Sequence, residues 1–84
     1  MNEFNVSKDV TFIVNSQTEI LKIYIKDKLH LMIGIPTGIQ SWMDEDEYVP
    51  YKVELYFENK TILLEYTRRD LWEAVLDILD ENIN

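Results

Sequence analysis

Apolar and polar residues alternate along much of this chain, a pattern typical of β-strands whose two faces meet different surroundings. The first such segment runs from Val10 to Val14 and is closed by the turn-forming residues NSQT. In the next segment, ILKIYIK, Leu21, Ile23 and Ile25 share one face, while lysines and a tyrosine occupy the other. Both segments are predicted to be strands of a sheet with one buried face and one solvated face.

The same period of two predicts two hairpins. A tight turn leads from the second strand into a third, residues 29–35, in which Leu29 and Leu31 are expected to share a face. Residues 51–58 alternate again, and an Asn-Lys turn connects them to a further apolar segment, residues 61–66. The segment between the hairpins is predicted to be a long surface loop of about a dozen residues.

The period changes at the end of the last strand. Thr67 and Asp70 form a variant of the capping box, which predicts a helix N-terminus. The apolar residues that follow fall on one broad side of a helix with 3.6 residues per turn. They are Leu71, Trp72, Val75, Leu76, Ile78, Leu79 and Ile83. Burying this side and the apolar side of the sheet requires the two to pack together.

We therefore predict a single domain over residues 1–84, of the α+β class. Its architecture is expected to be a four- or five-stranded, mainly antiparallel β-meander with one C-terminal amphipathic helix packed on one face. The composition agrees with a folded domain, because 46% of the 84 residues are hydrophobic and the chain has 2 Gly and 2 Pro. There is no cysteine, which excludes disulfides, thiolate chemistry and cysteine-based zinc sites.

The net charge of -8 is distributed unevenly. Residues 1–42 carry four acidic and four basic side chains, whereas residues 43–84 carry twelve acidic and four basic ones. This excess disfavours direct binding to nucleic acid or to an anionic membrane, since both depend on basic side chains. No apolar segment approaches the roughly 20 residues that span a bilayer, and the N-terminus lacks the pattern of a signal peptide. A cytoplasmic protein is expected.

Catalytic and metal-binding patterns are weak. His30, the single histidine, has no serine or acidic residue near it in sequence that would form a nucleophilic site. Asp44, Asp46 and Tyr48 match the first spacings of a calcium loop, but the glycine and the bidentate glutamate of that loop are absent. The sequence predicts no enzyme, no cofactor and no dedicated metal site, and leaves adventitious binding of divalent ions by clustered carboxylates open.

The segment SWMDEDEYVPY combines large apolar side chains with four consecutive carboxylates. An exposed aromatic residue beside charge is common at protein interfaces. We therefore predict a partner-binding loop, although a solvated loop with the tryptophan packed under the sheet edge is an equally simple interpretation. The predicted binding residues of this loop are Trp42, Met43, Asp44, Glu45, Asp46, Glu47 and Tyr48.

The outward side of the predicted helix is acidic. Its predicted binding residues recur at steps of mostly three and four, so their carboxylates are expected every 5 to 6 Å or so, comparable with the spacing of phosphates in DNA. These residues are Glu73, Asp77, Asp80 and Glu81. Together with the acidic loop they are expected to form one continuous electrostatic field, a negative surface that binds a basic protein, such as a nuclease, and inhibits it. A face that only keeps the protein soluble is the simpler alternative.

A second hypothesis assigns a different surface to a different role. Tyr24, Met32, Tyr56 and Leu63 are expected on the second face of the sheet, which is then more apolar than a solvated face usually is. This pattern favours a non-enzymatic homodimer or subunit that buries the face against another chain.

Overall fold

The computed structural model describes residues 2–6, 9–15 and 17–83. The chain folds into two compact units, Met1–Ile35 and Pro36–Asn84. Ser16 of the predicted NSQT turn lies outside the described residues. The α+β class is confirmed, and the single domain over residues 1–84 stays a prediction.

The first unit is a four-stranded antiparallel sheet in the order β1-β2-β3-β4. Its strands are β1 (Asn2–Asn5), β2 (Val10–Asn15), β3 (Ile20–Ile25) and β4 (Lys28–Gly34). Val10, Phe12, Leu21 and Ile23 are buried on one face, called here the Leu21 face, as the alternating pattern predicts. The opposite face, called the Met32 face, carries Ile13, Ile20, Leu29 and Met32.

The connections of this sheet are short and locally determined. Lys26 and Asp27 both have positive φ, 51° and 65°, as a two-residue type I′ hairpin turn requires. The longer turn between β2 and β3 is organised by Asn15, whose Oδ1 accepts hydrogen bonds from the backbone N–H groups of Gln17 (3.0 Å) and Thr18 (3.3 Å). An Asn side chain that bonds the backbone two and three residues later stabilises this kind of turn.

A β-bulge at Ile23/Tyr24 changes the predicted facing of β4. Leu31 pairs with Ile23, so a continuous register would place His30 opposite Tyr24, but Leu29 takes that place, one residue earlier. Leu29 therefore lies on the Met32 face, where it is 52% exposed, and the prediction that it shares a face with Leu31 is wrong. The extra residue of a bulge reverses alternation, and no apolar pattern in the sequence marks it.

The second unit is a three-stranded antiparallel sheet in the order β5-β6-β7, followed by one helix. Its elements are β5 (Gly38–Met43), β6 (Tyr51–Tyr56), β7 (Thr61–Tyr66) and α1 (Arg69–Ile83). The helix packs across one face of this sheet and contacts all three strands. Its buried residues are Ala74, Val75, Ile78 and Leu79.

Two contacts position the start of the helix against β6. The Trp72 indole Nε1 donates a hydrogen bond to the carbonyl oxygen of Lys52 at 3.1 Å, and the Trp72 and Tyr51 rings lie 5.3 Å apart. The first helical hydrogen bond runs from the N–H of Trp72 to the carbonyl of Arg68, 3.2 Å. The N-cap is thus Arg68, one residue later than the capping box predicts. Within the described residues no helix is long and apolar enough to cross a membrane.

The single meander of four or five strands is corrected to seven strands in two sheets within the described residues. The sequence does not predict two of these strands, because neither shows apolar alternation: β1 has the sequence NEFN and β5 has GIQSWM. The backbone of β1 pairs with residues 11–14 of β2, and that of β5 pairs along the whole of β6, and this pairing is what makes them strands. Pro36 lies between β4 and β5, and because it has no N–H it cannot donate a backbone hydrogen bond to a strand.

Candidate partner-binding surfaces

The predicted acidic loop is the connection between β5 and β6. It is closed by a 2.7 Å hydrogen bond from the N–H of Asp44 to the carbonyl of Pro50. The Asp44 carboxylate accepts a hydrogen bond within the loop from the N–H of Asp46 at 3.1 Å. The next four residues, 45–48, are exposed, and Tyr48 is 93% accessible. No group of three or more metal-binding side chains occurs within the described parts of the chain.

Trp42 and Met43 lie in β5, so the prediction that they belong to an irregular loop is wrong. Met43 pairs with Tyr51, which contacts the helix through Trp72, and Met43 therefore lies on the helix face of the three-stranded sheet. Trp42 pairs with Lys52 and lies on the opposite face, called here the Trp42 face. Trp42 is half-buried and Met43 is exposed. The two side chains cannot act together as one anchor.

Lys52 is the buried charged residue of the second unit, with 9% of its surface exposed. Its ammonium forms an ion pair with the Glu47 carboxylate. This hydrogen bond and the negative charges of Glu47, Glu65 and Asp44 raise the pKa of Lys52, against the effect of desolvation. Such a pair is expected because an unpartnered buried charge is costly. The Glu47 charge is consequently paired within the molecule, while 51% of its side chain is exposed.

Ion pairs also engage the acidic residues at the start of α1. Arg68 binds Asp70 through two hydrogen bonds, of 3.1 and 2.5 Å, and lowers the pKa of that carboxyl. Arg69 binds Glu73 four residues later at 2.8 Å. Among the predicted helix residues, Asp77, Asp80 and Glu81 are exposed and lie near the C-terminus of α1, and the last turn has no basic residue.

The eleven predicted binding residues therefore do not form one field. The ion pair with Lys52 directs the Glu47 carboxylate to the Trp42 face, whereas Asp77 and Asp80 lie on the helix side of the same sheet. The separation of Glu47 from Asp77 and Asp80 depends on which face of β6 carries Lys52. The spacing of the acidic residues in the sequence does not reveal it. The sequence carries one signal of it: Glu47 and Lys52 are opposite charges flanking a predicted strand start.

A groove between β5 and α1 was not predicted. It is lined by Ile39 and Ser41 from the strand and by Leu76, Asp77 and Asp80 from the helix. Both strand residues are on the helix face, since Ile39 pairs with Leu55 and Ser41 with Val53, and both of these are buried. Two carboxylates thus stand beside apolar surface and a hydroxyl. This mixture suits a long cationic side chain, whose stem is apolar and whose end is charged.

The predicted second sheet face is divided between the two units. Tyr24 and Met32 belong to the four-stranded sheet, and Met32 is 57% exposed. Tyr56 and Leu63 lie on the Trp42 face of the other sheet. The Tyr56 hydroxyl is engaged there, 2.6 Å from Glu54 Oε1 and 2.8 Å from an oxygen of Gln40, and the bond to Glu54 raises the pKa of Tyr56.

Comparisons of the chain with protein-family models, with curated proteins and with solved structures found no match.

Proposed function

We propose that this protein is a small acidic binding module that occupies the basic surface of a partner protein, and that the partner is a nucleic-acid-handling enzyme, such as a nuclease, which it inhibits. The observation that carries the proposal is the exposed acidic end of α1, formed by Asp77, Asp80 and Glu81. Residues 36–84 hold twelve acidic and four basic side chains, so the field around this end is negative.

The charge arrangement of α1 is unfavourable for the helix itself. The C-terminus of a helix carries a partial negative charge, and basic residues are the stabilising choice in its last turn. Here that turn contains acidic residues and no basic one. Features that depart from local stability are frequently functional, which supports a role in binding for these carboxylates. A rise of about 1.5 Å per residue separates successive turns by about 5.4 Å, so carboxylates one turn apart, such as Asp77 and Glu81, recur at intervals of a few ångströms, as phosphates do along a DNA strand.

The direct test is affinity capture from lysate of the source cells, with the full chain as bait at low and at high salt. We expect basic nucleic-acid-binding proteins at low salt and their loss at high salt, because exposed charge pairs are screened. A captured enzyme is then assayed for inhibition by the purified protein. Recovery of no basic protein at low salt, or a captured enzyme that keeps full activity when saturated, contradicts the proposal.

A second candidate function is self-association through the Met32 face. Leu29 and Met32 are 52% and 57% exposed, and Ile20 adds further apolar surface to the same face. Contiguous exposed apolar residues commonly mark an interface. Light scattering at high protein concentration is expected to give the mass of a dimer, and Met32→Lys is expected to restore the monomer mass. A monomer at every concentration eliminates this candidate.

A further inference from the structure

Strand β5 is an edge of the three-stranded sheet in the part of the chain that the structure describes. The hydrogen bond from Asp44 N–H to the Pro50 carbonyl marks that pair as a hydrogen-bonded one, and such pairs alternate along an antiparallel ladder. By the register of β5 with β6, Trp42, Gln40 and Gly38 then bond to β6. The N–H and C=O groups of the intervening residues, Ile39, Ser41 and Met43, point away from the sheet.

The edge lacks three features that commonly prevent strand addition. Native edges are commonly protected by a charged side chain, a proline or a bulge. The sequence of β5, GIQSWM, has no charged residue and no proline, and its register with β6 is continuous. An extended segment of another protein therefore meets free backbone donors and acceptors there.

The groove beside α1 specifies what such a segment must carry. Ile39, Ser41 and Met43 have outward backbone groups, and their side chains lie on the helix face. Residues directly opposite in a ladder point to the same face, so a residue added opposite Ser41 projects into the groove. It meets Leu76, Asp77 and Asp80 there. An apolar stem with a positive end is complementary to this lining.

We propose that an extended basic segment of the partner adds to β5 as a fourth strand, with a lysine or arginine opposite Ser41 directed at Asp77 and Asp80. This inference rests on the proposed function and names the form in which the basic partner is recognised. Strand addition supplies backbone hydrogen bonds for affinity, and the groove selects the side chain. The acidic end of α1 attracts the segment before it docks.

The test uses the full ¹⁵N-labelled chain and a synthetic acetylated peptide of alternating lysine and valine, about nine residues long. On binding, hydrogen exchange of the Ile39, Ser41 and Met43 amides is expected to slow at least about tenfold, because these groups become paired. The amides of Gln40 and Trp42, already bonded to β6, are the internal reference. The same peptide with N-methylated backbone amides is expected to lose binding, since it cannot complete the ladder.

Two variants separate strand addition from simple charge attraction. Ser41→Pro removes an outward N–H that the β5–β6 ladder does not use, so the fold is retained and peptide affinity is expected to fall at least about tenfold. Asp77→Asn with Asp80→Asn is expected to weaken binding. Its matched control is Glu19→Gln with Glu58→Gln, which changes the net charge equally and is expected to have little effect.

The outcomes distinguish this inference from the function on which it rests. If the N-methylated peptide binds as tightly as the unmodified one, or exchange at Ile39, Ser41 and Met43 is unchanged, contact is by charge alone. Strand addition is then overturned, while capture of a basic partner from lysate still supports the acidic module. If the Ser41→Pro variant unfolds, the N-methylated peptide decides the question with the natural protein.

Discussion

Replacing Leu55 by alanine is expected to lower the free energy of unfolding by about 2 to 5 kcal/mol, the range for truncating a fully buried leucine. Leu55 is 0% exposed in β6, the central strand of its sheet. It lies between Ile39 and Ile62 in register, on the helix face. Truncation leaves a cavity at the place where all three strands and the helix are held together.

Leu63→Ala is the matched control for this prediction. Leu63 lies on the neighbouring strand, on the opposite face, and is 47% exposed. The same chemical change there is expected to cost less than about 1 kcal/mol, because little buried surface is lost. Urea denaturation followed by circular dichroism measures both values. Equal losses for the two variants contradict the assignment of Leu55 to the core of this unit.

Reversing two charges at the end of α1 is expected to abolish binding of the basic partner while leaving the helix at least as stable. Asp80→Lys with Glu81→Lys places positive charge in the last turn, where the helix dipole favours it by about 0.3 to 1 kcal/mol per residue. Like charges across an interface cost several kcal/mol, which corresponds to an affinity loss of about 100-fold or more. Titration calorimetry with the captured partner measures this loss.

The control for the charge reversal carries the same net charge at other places. Glu19→Lys with Glu58→Lys changes two exposed residues, one in each unit and neither on α1. This variant is expected to keep binding within a few-fold of the natural protein, since distant exposed charges are screened. Full binding by the helix variant, or equal loss in both variants, shows that the end of α1 is not the contact surface.

The acidic residues show how far sequence patterns reach in the candidate site. Spacing along the helix correctly places Asp77, Asp80 and Glu81 on exposed positions of α1, because a helix is a regular object whose faces follow from period alone. The same reasoning predicts that the carboxylates of Glu47 and Glu73 are not paired with basic side chains of the same chain. Lys52 and Arg69 neutralise them. The pairing of Glu47 with Lys52 depends on how the loop between β5 and β6 folds back onto β6. The spacing of residues along the sequence does not specify this.

Strand β5 shows the corresponding limit for the fold. Its six residues have no apolar alternation, so the sequence predicts a loop, yet they pair with β6 along their whole length. Backbone hydrogen bonds do not depend on the side chain, and an edge strand half exposed to solvent needs no apolar pattern. Strand β5 forms one side of the groove that Asp77 and Asp80 line, so the groove could not be predicted without this strand.

The sequence by itself determined the α+β class, the hairpins, the amphipathic helix and the concentration of negative charge after residue 42, since each is a property of neighbouring or regularly spaced residues. The tertiary structure alone decided the division into two sheets, the pairing of Lys52 with Glu47 and the position of the acidic helix beside the edge of β5. These features depend on contacts between segments distant in the chain. Such contacts arise from the packing of whole strands and helices, and the local composition of the sequence does not determine them.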